Sequence, residues 1–254
     1  EFYNDFFAKK SSGYGSHLSS KIEVFESKSI QSDKNLKFQY RLGAKLLYDF
    51  RNGSKNTSEI FDLEKLSSFL ALNDILQSHH SSDWHNLRLY FNPVTYLFEP
   101  IAFDGNNESL SEHFLSCNPP YYWTSSYENY FKDKDFYKLY LEKLFKYTNS
   151  DYLKKSLANF QNDLNYNLKI LNLEWPEYTF SPSYINQNIN FIRKILSPNK
   201  VLDANVIQNN KNILEISIAN MQLLPTEKFF ILAPDSTRLY PKNDILLDGK
   251  KHDE

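Results

Sequence analysis

The sequence predicts an α+β fold that is mostly helical, with one small hairpin among the helices and a short β-rich, sandwich-like segment after them. Three observations carry this expectation. Apolar residues recur at helical spacing through several stretches between Leu36 and Leu196. Two short apolar runs flank Asn92-Pro93-Val94-Thr95, and after about Asn199 the period switches to strict alternation. At 254 residues, with 41% hydrophobic, 24% charged and 16% aromatic residues, the chain has the length and balance for one or two domains with a real core.

Residues 1–35 are polar and mixed, with a short strand expected at 21–25 and a turn at Gly13-Tyr14-Gly15. Tyr40, Ala44, Leu47 and Phe50 give a helix over 36–50, and Asn52-Gly53 stops it. Residues 54–58 read as a loop. Asp62 is a good N-cap with Glu64 in the first turn, and Leu63, Leu66, Phe69, Leu70, Asn73 and Leu76 trace a helix expected to end near His79. The next stretch, to Asp104, runs through a polar loop into two apolar strands. Asp83, His85 and Asn86 fall where the loop enters the first strand, and Asp104 falls where the second ends. Pairing those strands as a hairpin brings the two places to the same end. Residues 105–127 form a long irregular segment whose Tyr121, Tyr122 and Trp123 argue that it packs onto something. Three helices follow, over 135–147, 151–171 and 183–196, the last closed by Ser197-Pro198. Leu214, Ile216 and Ile218 then alternate with polar residues, and 220–224 and 229–232 read as further short strands. The domain boundary is placed at Pro198-Asn199, giving units 1–198 and 199–254.

Several function classes are disfavoured. A net charge of -2 offers no broad basic surface for nucleic acid. The single cysteine, Cys117, excludes an internal disulfide and a cysteine-based zinc site. No apolar run approaches the ~20 residues of a transmembrane segment. The six glycines cannot form GxGxxG or a Walker loop, so a phosphate-covering loop is not in this chain. With no initiator Met and no signal peptide, an opening at Glu1-Phe2-Tyr3 reads as a piece of something longer.

Two acids flanking a hairpin, with an amide beside the first, suit phosphoryl transfer. One acid holds a substrate hydroxyl, while the second acid and the amide oxygen hold Mg²⁺, which prefers hard oxygen ligands. Asp83, Asn86 and Asp104 equally suit a plain reading as loop cap, strand start and turn. His79, His80 and His85 invite zinc, but no HExxH is present, and adjacent histidines cannot both face one ion on a continuous helix. They read better as hydrogen-bonding groups or loop anchors. Arg88 shares a strand face with Tyr90, either as a sheet-edge arginine or as a guanidinium that orients a carboxylate or phosphate.

The block Phe61-Asp62-Leu63-Glu64-Lys65-Leu66 with Ala71-Leu72-Asn73-Asp74, then Asp83-Trp84-His85-Asn86-Leu87-Arg88-Leu89-Tyr90-Phe91-Asn92-Pro93, then Glu99-Pro100-Ile101-Ala102-Phe103-Asp104, resembles the CotH family. These are spore-coat-related atypical protein kinases and their bacterial relatives. Residues 130–147 and Asn186-Gln187-Asn188-Ile189-Asn190-Phe191-Ile192-Arg193 look similar as well, so the likeness spans about 38–198. The resemblance implies a protein-kinase-like C-lobe and transfer of phosphate from ATP, with Mg²⁺, to serine on a protein substrate. It implies Asp83 as the catalytic-loop acid and Asn86 and Asp104 as metal-holding residues; His85 and Arg88, read from their own positions near that acid, join Asp83 as catalytic candidates. It further implies a bacterial protein, secreted or of the cell envelope. Two features depart from the family. Phe103-Asp104-Gly105-Asn106 carries an amide where the family often has a second acid, and the lobe that would grip the nucleotide is expected upstream of Glu1. A non-catalytic coat or cell-surface interaction protein with a degenerate kinase-like fold is the alternative, and a metal-dependent hydrolase using the histidines is the third.

Overall fold

Helix caps and aromatic residues organise the computed structural model, which describes residues 21–84, 86–105, 114–115, 124–210, 214–222, 224–226, 230–243 and 245–247. About half of the described residues are helical, and the strands form small antiparallel sheets. The expectations for Gly13-Tyr14-Gly15, His85, Asn106 and Tyr121-Tyr122-Trp123 lie outside the described residues.

The strand expected at 21–25 does not form: the chain runs there without a pairing partner and turns into α1 (Ser27–Ser32). Alternation at Ile22 and Val24 makes a strand only where a ladder accepts it, and here Ile22 instead gives its carbonyl to the Tyr40 hydroxyl at 3.1 Å. Helix α2 (Lys34–Arg51) starts at Asp33, whose carboxylate accepts from the N–H groups of Asn35 and Leu36. It stops at Asn52, followed by Gly53 at φ +71°. Gly43 marks the close approach of α2 to the hairpin, since a Cβ there would sit 3.2 Å from the Phe98 ring and 3.3 Å from that of Phe91.

The expected loop at 54–58 is half wrong. A short helix α3 (Thr57–Ile60) begins inside it, because Asn56 and Glu59 form a reciprocal capping box. Helix α4 (Leu63–Leu76) is capped by Asp62 as expected, through the Lys65 N–H at 3.1 Å. It ends earlier than His79, because Gln77 turns left-handed at φ 52° and a 3₁₀ turn (His79–Ser82) takes over. Strands β1 (Arg88–Phe91) and β2 (Phe98–Ile101) pair antiparallel.

Helices α5 (Thr124–Phe131), α6 (Lys134–Tyr147), α7 (Ser150–Asn159), α8 (Gln161–Leu171) and α9 (Ser183–Leu196) follow. The single helix expected over 151–171 is two, broken at Phe160, where φ −96° and ψ 6° interrupt the regular ladder. Neither α7 nor α8 buries a residue completely, and Phe160 is exposed, so this stripe flanks the body rather than filling it. The core lies where α4 packs on α6 and α9: Leu66, Leu70, Ala71, Phe136, Tyr140, Leu144 and Ile192 are all sealed from solvent. Among the described residues no helix is long and apolar enough to cross a membrane.

After Ser197 the described chain forms a hairpin of β3 (Leu202–Asn209) and β4 (Leu214–Asn220), with a bulge between Val206 and Gln208. A minimal pair follows, β5 (Ile231–Leu232) with β6 (Arg238–Leu239). Strand β4 ends at Asn220 and no separate strand forms at the described residues 221, 222 and 224, where the Asn220 side chain accepts the Gln222 N–H.

Asp133 ties two of these elements together. Its carboxylate caps α6 through the N–H groups of Asp135 (3.0 Å) and Phe136 (3.2 Å) and receives the Ser58 N–H from α3 at 2.7 Å. Burial pushes this carboxyl up, but hydrogen bonds from Ser58, Phe136 and Asp135 outweigh it and hold it below its ordinary value of 3.8. A depressed carboxylate stabilises the fold fully above the unfolded value and loses that contribution as pH falls through the folded one. Asp133→Ala will therefore cost about 2 kcal/mol at neutral pH. Urea unfolding will show the gap to wild type narrowing only below the ordinary aspartate range.

Candidate functional site at the open end of the hairpin

The hairpin is held rigidly from its closed end. Asn92 accepts the Val94 N–H at 2.9 Å inside the turn and donates its amide to Glu99 at 2.8 Å. Lys65 of α4 meets Glu99 at 2.6 Å, and that hydrogen bond, with the one from Asn92, lowers the Glu99 carboxyl below its usual range. Phe61 bridges to Phe98, and the Asp62 N–H donates to the Phe98 carbonyl at 2.9 Å, so β2 is fastened to the corner between α3 and α4.

The register Arg88↔Ile101 fixes the open end. Asn86 stands just before β1 there, and Asp104 stands just after β2, in the left-handed region at φ 49°. Asp tolerates that region better than most residues, because its short polar side chain bonds locally. The Asp104 Oδ2 lies 3.5 Å from the Asn86 Nδ2 and 3.2 Å from the His80 Nε2. Asp104 is about half exposed, with 46% of its side chain accessible, and His80 is partly so.

Asp83 differs. It is fully buried, at 0% exposure, under the entrance to β1. Its backbone closes the turn, with its N–H donating to the His79 carbonyl and its carbonyl accepting from Asn86 and Leu87. Its side chain is near enough to Tyr127 to add to the effect of burial, which pushes that phenol well above its ordinary value. The structure thus gathers Asn86 and Asp104, expected together, and joins to them His80, whereas Asp83 sits beneath the same surface. Arg88 projects between two aromatic rings, 4.9 Å from the Phe103 centroid and 5.9 Å from that of Phe25. Stacking of this kind fixes a guanidinium, and its Nη1 also donates to the Leu87 carbonyl at 3.4 Å.

Beneath the open end lies a buried polar network that sequence reasoning did not single out. Asp74 of α4 is fully buried, and its Oδ1 accepts from the Leu115 N–H at 2.9 Å and faces the His79 Nε2 at 3.1 Å. Its Oδ2 accepts from the Tyr140 hydroxyl of α6. Ser78 and Ser81 both donate to the Asn73 Oδ1, at 3.0 and 3.1 Å, and the Ser82 hydroxyl bonds that of Tyr127 at 2.8 Å. The available signal was a charged residue set between the core positions Ala71 and Ile75. The 3₁₀ turn also explains the histidine pair: His79 points inward to Asp74, and His80 outward to Asp104.

Among the described residues no three His, Cys, Asp or Glu side chains gather as a metal-binding group. Mg²⁺ makes a smaller demand, since it often takes one or two carboxylates, waters and substrate phosphates. The half-exposed Asp104 carboxylate meets it. No known protein family, curated protein or solved structure matches this chain.

Proposed function

We propose that this chain is the catalytic lobe of a CotH-like protein serine kinase, with a kinase-like C-lobe fold followed by a sandwich-like β module. The observation that carries the reading is the half-exposed Asp104, braced at the open end of a rigid hairpin by Asn86 and His80. In this reading Asp104, with Asn86 beside it, would hold Mg²⁺, which would neutralise charge on the ATP phosphates. The Arg88 guanidinium orients a phosphate oxygen. The acceptor serine oxygen bonds to the γ-phosphorus, the bond from that phosphorus to the bridging oxygen breaks, and ADP leaves. The serine proton passes to Asp83, with His85 two residues further along the sequence. Because Asp83 is covered in this conformation, transfer requires the surface above it to open.

The test is transfer of labelled γ-phosphate to protein by the protein that carries this chain. Asp104→Ala is expected to lower the rate about 100-fold, as loss of one group that stabilises charge in the transition state does. Incorporation no higher than in that variant overturns the reading.

The sealed Asp83 favours a second reading, a non-catalytic coat or cell-surface interaction protein of bacterial origin that keeps a kinase-like fold. The amide at Asn106, where the family often has an acid, agrees with it. Unchanged partner binding by Asp104→Ala, with no transfer by wild type, is its expected signature.

A further inference from the structure

We infer that His80 is a positioning residue: it fixes one oxygen of Asp104 so that the other is presented to a divalent cation. The inference rests on the cation that the proposed reaction assigns to Asp104. His80 cannot drift, because its neighbours in the 3₁₀ turn are all anchored inward. His79 is held on Asp74 (3.1 Å), Ser81 on Asn73 (3.1 Å), and Ser82 on both the His79 carbonyl (2.9 Å) and the Tyr127 hydroxyl (2.8 Å). His79, Ser81 and Ser82 are buried, and His80 alone of the four reaches the surface.

From that fixed place the Nε2 of His80 meets the Asp104 Oδ2 at 3.2 Å. The Asn86 amide nitrogen lies 3.2 Å from the His80 carbonyl and 3.5 Å from the same Oδ2. A ring nitrogen and an amide nitrogen thus converge on one carboxylate oxygen. The nitrogen of Asn86, rather than its oxygen, faces the acid, so Asn86 acts here as a second brace. A carboxylate fixed through one oxygen is pre-oriented to bind a cation through the other, and it gives up less rotational freedom on binding. Asp104 stands in a left-handed conformation on a chain with Gly105 next, where its own backbone has no ladder to hold it, so the braces supply the orientation.

The experiment titrates Mn²⁺ alone into the protein, without nucleotide, and follows paramagnetic broadening of amide resonances by NMR. In wild type the broadening is expected to centre on 86–88 and 101–105. His80→Ala should weaken Mn²⁺ affinity 10–100-fold, the usual range when a group bracing a metal ligand is lost. His80→Gln carries an N–H donor at similar reach and should restore affinity to within a few-fold. Equal melting temperatures for the two variants separate orientation from loss of fold. If His80→Ala binds Mn²⁺ as wild type does while Asp104→Ala does not, the positioning role is overturned and the kinase reading stands. Broadening that is absent in wild type, or survives Asp104→Ala, overturns both. A chain that shows the expected Mn²⁺ pattern yet transfers no phosphate keeps this inference and loses the kinase reading.

Discussion

Asp74→Ala is expected to cost about 3–5 kcal/mol of folding stability, the range seen when one partner of a buried charged cluster is removed. The carboxylate is sealed from solvent and serves three parts of the chain at once: His79 of the 3₁₀ turn, the backbone N–H of Leu115, and the Tyr140 hydroxyl of α6. Alanine leaves all three polar groups buried in a space that keeps its shape, so each retains its desolvation penalty with nothing to offset it. Asp74→Asn keeps an acceptor for two of the three and should cost less. Tyr140→Phe removes one donor and about 1.5–3 kcal/mol, as hydrogen bonds to charged groups do. The double variant should fall short of the sum, since the hydroxyl has no partner left to lose once the acid is gone. Urea midpoints at constant m give these values. A cost below about 1 kcal/mol for Asp74→Ala would show that water reaches the pocket and that the network is not a fastening.

The same residue marks where sequence reading stops. Local rules locate what local chemistry decides: Asp62 caps α4, and Asn52-Gly53 ends α2. The Asn56–Glu59 capping box was equally local and would have revealed α3 inside the expected loop. Asp74 is different in kind. A charge on a helix reads as solvent-facing by default, and its burial depends on Tyr140, 66 residues further along. The left-handed Gln77, which ends α4 early, is likewise set by its surroundings, because glutamine has no strong preference for that conformation. At the site, the alternation of two strands was enough to bring Asn86 and Asp104 to one end. It could not distinguish the exposure of Asp104 from the burial of Asp83, which is decided by chain distant in sequence, with Tyr127 near enough to the first acid to feel its charge. Nor could it assign His80 to Asp104, since the two adjacent histidines diverge only once the helix has given way to a tighter turn.

Phe61→Ala should match Asp74→Ala in size, at about 3–5 kcal/mol for truncating a sealed aromatic ring. Phe61 is 1% exposed at the corner between α3 and α4, with the rings of Phe50, Tyr130 and Phe98 at 5.2, 5.4 and 6.0 Å from its own. Those partners come from α2, α5 and β2, so the ring is where the hairpin joins the helical body. Phe61→Leu keeps most of the volume and should cost about 1–1.5 kcal/mol. The more informative consequence is where the protein loosens. With the ring gone, β2 keeps its backbone attachment through the Asp62 N–H, the Lys65–Glu99 pair and the approach of Phe98 to Gly43 of α2. Amide exchange in β1 and β2 should then accelerate more than exchange in α6, which packs on α4 and α9 as well. A hairpin that loosens before the body would also misplace Asp104 and Asn86, so the divalent-cation affinity proposed for Asp104 should fall in Phe61→Leu although that residue touches neither side chain. Uniform acceleration in hairpin and helices alike would instead show that hairpin and helices unfold as one unit, and that the corner at Phe61 confers no separate control over the site.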